Sequence, residues 1–527
     1  VKFGVGQSVP RKEDQRLVTG GGQFTDDLSF ADQCYLRVAR SPFAHGEIKS
    51  LDIAAALAAP GVLAVYVADD LVDLGGLPCR AVLNDAAGNP AFIPRRSILA
   101  ENKVCFVGQA VAALVADSIE QANNAVELIE LDVDELAANA DPRQSLDPDT
   151  AVLHPEHGSN LCVHYENGDA VGVDRALEQA DHIVEVELVN NRVAPSPLEP
   201  RACVGLYADG KYTLYNPSQG AVAQQEILSK AIFQTDPGDI RVISLDTGGG
   251  FGIRGEVHPE ACICLFAARA LGVPVKYTGD RSEMFLSDSH GRDNLTKVTG
   301  GFSAEGGLVG LRVETIANLG GYCSAAGPFV PTMAGGRVVG TVYRCAHVHH
   351  SVKLVFTNTM PVAAYRGAGR PEACYVMERL LEAAARQIGM DSVDLRKRNF
   401  VTPTEMPYKL ASGVNLTSGE FANTLDLAVE KSSYRVAAVP RPGKLRGKGL
   451  GYYVESSGGG PEEEARITVR DDGVVDVVVG TFSHGQGHRT TYSQILADQL
   501  GIDFDKINVI QGDTDLVKFG GGTGGSR

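Results

Sequence analysis

Two kinds of apolar pattern alternate along the chain. Val62-Leu63-Ala64-Val65-Tyr66-Val67 and Val111-Ala112-Ala113-Leu114-Val115 are unbroken apolar runs of strand length, which predict buried strands. After the second run, Ser118 precedes Ile119, Ala122, Val126 and Ile129, a spacing that predicts a helix with an inward apolar face and a serine cap. Together they give a compact α/β unit over residues 1–140. A polar stretch rich in proline and aspartate, from Asn139 to Pro155, marks its end. A second α/β unit is expected over 155–432, and the basic, Pro- and Gly-marked stretch from Arg435 to Lys448 reads as a linker. In a third unit, 445–527, Ile467-Thr468-Val469-Arg470 and Val474-Val475-Asp476-Val477 flank the turn Asp471-Asp472-Gly473 and predict a hairpin. The expected fold class is α/β, a multidomain chain of mixed helix and sheet.

One pattern occurs three times: strand, glycine-rich loop, helix. Ile240–Leu245 runs into Thr247-Gly248-Gly249-Gly250-Phe251-Gly252, with a helix from near Pro259. Val352–Phe356 is followed by Ala364-Tyr365-Arg366-Gly367-Ala368-Gly369-Arg370. A helix from Pro371 then carries Val376, Leu380, Ala384 and Ile388 on one face and stops at Gly389. Val477–Gly480 leads to Ser483-His484-Gly485-Gln486-Gly487-His488 and a helix through Ile495, Leu496 and Leu500. Each loop can set unpaired N–H groups beside a helix start, where an anion is favoured, and glycine lets a ligand approach the backbone. A tight strand–helix turn would account for one such loop; three in one chain point to a large anionic cofactor contacted many times. None has the G-x-x-x-x-G-K-[ST] form of a single-phosphate loop. Gly-Gly-Gly-Phe-Gly also lacks the G-x-G-x-x-G spacing, which argues against a flavin or nicotinamide dehydrogenase.

Composition narrows the class. Among 527 residues, 44% are apolar and 21% charged, which excludes a mostly disordered chain and allows several cores. The net charge of −17 argues against a nucleic-acid surface. No run approaches about 18 apolar residues, so no membrane span is expected. Val1-Lys2-Phe3-Gly4 lacks the apolar core of a secretion signal, so a cytoplasmic location is expected. The ten cysteines are scattered with no C-x-x-C; no iron–sulfur or zinc cluster is expected, and no side chain is assigned as a metal ligand. Cys262 and Cys264 sit in an apolar stretch and read as buried thiols. His347-x-His349-His350 would place two rings on one strand face and one on the other, and reads as strand histidines. Glu462-Glu463-Glu464 reads as a solvated charge run.

The three loops, taken as Thr247–Gly252, Ala364-Tyr-Arg-Gly-Ala-Gly-Arg-Pro-Glu372 and His484-Gly-Gln-Gly487, resemble the molybdopterin-binding large subunits of the xanthine dehydrogenase / aldehyde oxidase / carbon monoxide dehydrogenase family. Arg40-Ser-Pro-Phe-Ala-His45, Phe106-Val-Gly-Gln-Ala-Val-Ala112 and Leu198-Glu-Pro-Arg-Ala202 share the resemblance, the first two in the family's N-terminal α/β hammerhead domain. It therefore runs along the whole chain. The resemblance implies a hammerhead-like domain followed by a first and a partial second molybdopterin-binding domain. Molybdenum would be held by a pterin dithiolene and not by side chains, in the molybdopterin or the cytosine dinucleotide form.

By resemblance, Gln219 hydrogen-bonds an apical oxygen on molybdenum, and Phe251 and Gly252 pass beside the metal with Gly250 in the same loop. Arg366 lines the substrate side and stabilises developing charge, with Ala364 and Tyr365 counted in its cofactor loop. Gly485, Gln486 and Gly487 grip the pterin and its phosphates, and Thr523, Gly525 and Ser526 lie in a further cofactor-contacting segment. Gln219 and Arg366 are the catalytic candidates.

The implied reaction is hydroxylation of a small-molecule substrate, an aldehyde or N-heterocycle, with water as oxygen source. Electrons would leave through the pterin to a [2Fe–2S] subunit and an FAD subunit. Three departures stand out. Gly367 follows Arg366 and the nearest cysteine is Cys374, so the copper of the carbon monoxide branch is not expected. Ala368 stands where many relatives carry a bulky aromatic. The family's glutamate base lies in a Gly-x-Gly-Glu-like motif that does not occur before Arg527. A separate C-terminal molybdenum-subunit piece is therefore an expected partner, and a cofactor-binding component without turnover of its own is the alternative. Glu256 and Glu260, close after the first loop, are placed to face the pocket, but a solvated loop carboxylate and a helix-start carboxylate are the preferred readings.

Overall fold

The computed structural model describes residues 3–437, 441–455, 457 and 463–525. Ala110–Ala116 is buried at every position, as an unbroken apolar strand inside a sheet requires. It lies between Cys34–Arg40 and Val62–Tyr66, antiparallel to both. The sheet continues: Cys34–Arg40 pairs in parallel with Val275–Thr278, followed by Ala202–Ala208, Lys211–Tyr215 and Ile240–Ile243. This seven-stranded sheet draws strands from both sides of the polar stretch 139–155. Helix Ile119–Val126 begins where Ser118 accepts the N–H of Gln121, and it buries Ala122 and Ala125; Ile129 lies beyond its end, half-buried. Helix Pro259–Leu271 packs on Ala202–Ala208. A Cβ at Gly205 would come within 2.5 Å of the Cys264 backbone, so glycine permits this approach. Cys262 and Cys264 are buried there.

A five-stranded sheet runs Leu161–Gly168, His347–Phe356, Leu308–Gly320, Asn294–Phe302, His182–Asn190. Helix Arg370–Ile388 packs on its His182–Asn190 side. Along His347–Phe356 burial alternates, with His347 and His349 half-buried and His350 buried, as a period of two demands.

The hairpin of Ala465–Val469 and Val475–Val479 turns at Gly473, where φ is +78°. Ile507–Ile510 joins in parallel, connected through helix His488–Leu500. Helix Lys12–Val18, from the start of the chain, packs on this last unit. Glu13 accepts from Thr490 N and Oγ1, and Lys12 Nζ donates to the carbonyls of Phe504 and Ile507. Within the stretch Arg435–Lys448, residues 438–440 lie outside the described part; Arg435 ion-pairs with Asp391 and Asp394. Glu462 also lies outside it, whereas Glu463 is exposed and accepts the N–H of Gly521. No helix among the described residues is long and apolar enough to cross a membrane.

Candidate active site

The first glycine loop follows strand Ile240–Ile243, and Gln219 holds it. The Gln219 Oε1 accepts the N–H of Gly252 at 2.7 Å, and its Nε2 donates to the Thr523 carbonyl at 2.9 Å. Thr523 N in turn donates to the Gln219 carbonyl. One side chain therefore ties the first loop to the closing segment. Phe251 has φ of +57°, unusual for a residue with a side chain, and the residue is 36% exposed. At Gly252, φ is +115° and an added Cβ would sit 2.0 Å from the Ala364 carbonyl oxygen. First and second loops touch there, and Arg366 N donates to the Phe251 carbonyl at 2.9 Å.

The second loop precedes helix Arg370–Ile388. Glu372 accepts the N–H of Gly369 at 2.9 Å, closing the helix start. The same carboxylate pairs with Arg292 at 3.1 Å. Arg292 also donates to the carbonyls of Tyr365 and Arg366 and lies over the Tyr365 ring. Arg366 itself lies over the Phe251 ring, 5.4 Å from its centroid.

The third loop ends at Gly487, the cap residue of helix His488–Leu500 with φ of +85°. Gln486 Oε1 accepts His484 N, and Gln486 Nε2 donates to the Phe482 carbonyl. The Thr523 hydroxyl exchanges hydrogen bonds with Phe482 N and O, which seats the closing segment beside this loop.

The three loops and the closing segment enclose a cavity of about 620 Å³, within the range of small-molecule sites. Of the residues expected from sequence, Gln219, Phe251, Gly252, Ala364, Tyr365, Arg366, Gln486, Thr523 and Gly525 line it. Gly250, Gly485 and Gly487 do not; Gly485 instead lines a neighbouring cavity of about 350 Å³, with Arg11, Arg489 and Thr247. Ser526 lies outside the described residues. Ala368 lines the main cavity, whereas Cys374 does not.

Glu256 and Glu260 are corrections to the sequence reading: neither is solvated. Glu256 lines the cavity, buried, accepting from Ser289 Oγ at 2.7 Å and Ala325 N at 3.1 Å. Glu260 is 2% exposed and pairs with both Arg40 and Arg201. Burial opposes its ionisation, yet the facing guanidiniums of Arg201 and Arg40 prevail and hold its carboxyl well below the usual range. Arg40 also meets Glu283, and Arg201 meets Asp288. The Gly108 carbonyl accepts from Arg40, and Glu199 accepts the N–H of Gly248 in the first loop. The segments around Arg40, Gly108 and Arg201 thus converge on one buried charge cluster behind the first loop. Sequence alone missed Arg80, Arg292 and Ala325, whose partners lie far away in the chain, and the inward role of His484.

The cavity has room and an unpartnered polar atom for an organic group. The Nε2 of His484 is buried and has no hydrogen-bond partner among the described residues, and this ring lines the cavity. A Cβ at Gly485 would meet nothing within 4 Å, so the loop backbone is open to a ligand. Among the described residues no group of three or more His, Cys, Asp or Glu side chains could hold a metal ion.

Comparison with known proteins agrees with this geometry. Residues 153–400 and 423–527 match family models described as molybdopterin cofactor-binding domains. Residues 19–137 match the a/b hammerhead domain of aldehyde oxidase and xanthine dehydrogenase. The chain is 31% identical to the 6-hydroxypseudooxynicotine dehydrogenase complex subunit gamma of Paenarthrobacter nicotinovorans, across 99% of its own length and 67% of that protein. It is also 31% identical to the carbon monoxide dehydrogenase large chain of Hydrogenophaga pseudoflava, across 98% and 67%. Among solved structures, quinoline 2-oxidoreductase from Pseudomonas putida 86 superposes with a TM-score of 0.91 at 28% identity, covering 100% of this chain and 68% of that one. The chain spans about two thirds of the length of these relatives.

Proposed function

Since the chain belongs to the molybdopterin-binding large subunits of the xanthine dehydrogenase / aldehyde oxidase / carbon monoxide dehydrogenase family, we propose that it carries the substrate site of a hydroxylase acting on an aldehyde or N-heterocycle. The observation that supports this most is the single cavity shared by Gln219, Phe251, Arg366, His484, Gln486 and Thr523. When bound, the pterin cofactor supplies a redox metal that accepts two electrons while water supplies the oxygen. The chain's own residues orient and polarise. Gln219 is fixed at both ends of its amide and keeps one Nε2–H to offer inward. His484 Nε2 and Gln486 face the cofactor. Phe251 presents a ring face to a flat substrate, and Arg366 above it favours negative charge developing at the reacting carbon. We take residues 1–140 as the hammerhead-like unit, 155–432 as the first and 445–527 as a partial second cofactor unit.

The neighbouring cavity, lined by Arg11, Arg16 and Arg489 together with Glu13, Asp246 and Asp513, gives room for a nucleotide extension, so the cofactor is proposed in its cytosine dinucleotide form. Glu256 is the one carboxylate among the described cavity residues, and both its oxygens are occupied. That favours a glutamate base supplied by a separate C-terminal molybdenum-subunit piece, with a cofactor-binding component without turnover of its own as the alternative. A [2Fe–2S] subunit and an FAD subunit are proposed as electron partners. The test is turnover of a panel of aldehydes and N-heterocycles in ¹⁸O-labelled water by the complex purified from its host. Product carrying ¹⁸O is expected, and Arg366→Gln should lower kcat/KM about 100-fold. Oxidised product without the label would refute the hydroxylase.

A further inference from the structure

Besides Arg366, a second guanidinium lines the main cavity: Arg80, an exposed side chain from the first unit. Its backbone is fixed. Arg80 N donates to the Ala325 carbonyl at 2.9 Å, and Leu77 N donates to the Arg96 carbonyl at 2.7 Å. Ala325 N in turn donates to Glu256 Oε1. A carboxylate just past the first glycine loop thus holds the turn at Ala325, and that turn holds the residue carrying Arg80. Neither Arg80 nor Arg366 has an ion-pair partner among the described residues. The cavity wall therefore offers two uncompensated cations, one already satisfied carboxylate, and the exposed ring face of Phe251.

We infer that the substrate is a flat aromatic or heteroaromatic compound bearing a carboxylate, its ring on Phe251 and its carboxylate on Arg80. This rests on the reading of the cavity as the substrate site. A guanidinium fits a carboxylate through two parallel N–H donors, which fixes orientation as well as charge. Two cations in one concave wall raise the local concentration of anions before contact. Arg366, committed to the Phe251 ring and the first loop, is left for charge at the reacting carbon. Arg80 is then a specificity-determining residue.

Isothermal titration of the purified, cofactor-bearing complex tests this with two matched pairs, nicotinate against nicotinamide and benzoate against benzamide. Pterin content is measured in every preparation. In the wild type at least one carboxylate should bind about tenfold tighter than its amide. Arg80→Gln should bring the ratio close to one, and Arg80→Lys should restore part of it. No preference in a wild type with full pterin, or a preference that survives Arg80→Gln, overturns this inference and leaves the site reading standing. A folded wild type without pterin overturns the site reading and this inference with it.

Discussion

Gly252 and Gly485 have nearly the same backbone angle, +115° and +117°, but different surroundings. A Cβ at Gly252 would strike the Ala364 carbonyl at 2.0 Å, while one at Gly485 meets nothing within 4 Å. Gly252→Ala should therefore drive the first and second loops apart and remove most bound pterin, read as fluorescence after oxidative release. Gly485→Ala meets no protein atom, so it should keep the fold at a strain cost of about 1–3 kcal/mol, while its Cβ stands where the ligand approaches. Full pterin retention in Gly252→Ala would contradict the close contact between the two loops. The glycine pattern announced these loops, and family likeness singled out Gln219. That Gln219 bridges Gly252 and Thr523 was not legible, because the partners lie 33 and 304 residues away. Glu256 was misread for the same reason: Ser289 and Ala325, which bury its charge, are 33 and 69 residues on.

At the scale of elements, helix Arg370–Ile388 shows what local sequence can and cannot tell. Its start at Gly369-Arg370-Pro371-Glu372 and its left-handed stop at Gly389 follow from cap chemistry. The contact of Glu372 with Arg292, which fixes the Tyr365 and Arg366 carbonyls, does not. Glu372→Ala removes the cap and leaves Arg292 without its partner. It should cost about 1–2 kcal/mol and speed amide exchange across residues 364–369, whereas Glu372→Gln keeps the cap and should cost less. Unchanged exchange in Glu372→Ala would argue against this control of the loop. The link of Glu13 to Thr490 was equally hidden, joining the first helix to the last unit across 477 residues.

Over the whole molecule, the units are joined by shared elements more than by linkers. The seven-stranded sheet crosses the polar stretch 139–155, and the cluster of Arg40, Arg201 and Glu260 sits at that junction. Glu260→Gln leaves two buried guanidiniums with one carboxylate each, Glu283 and Asp288, and should cost up to about 3 kcal/mol, a drop in thermal midpoint that Glu260→Asp only partly avoids. Protons act on the whole fold as well. Burial pushes His154 and His350 down to about 4, so both stay neutral when folded. Below pH 6.5 the unfolded chain binds more protons than the folded one, and stability falls as pH drops towards 4. The slope is about 1.4 kcal/mol per pH unit for each histidine, and His350→Gln should remove one such contribution from the thermal midpoint profile. Alternating apolar runs, the hairpin and the three strand–loop–helix units were visible in sequence. The order of strands in the large sheet was not, since pairing between distant segments leaves no periodicity.

The central claim is that three glycine loops and the closing segment cradle a pterin-held molybdenum. Elemental mass spectrometry, with pterin released and quantified from the same sample, measures it directly on the complex purified from its host. About one molybdenum and one pterin per 527-residue chain, both lost together in Gly252→Ala, is the predicted result. A folded complex from molybdate-replete cells holding neither would contradict the account.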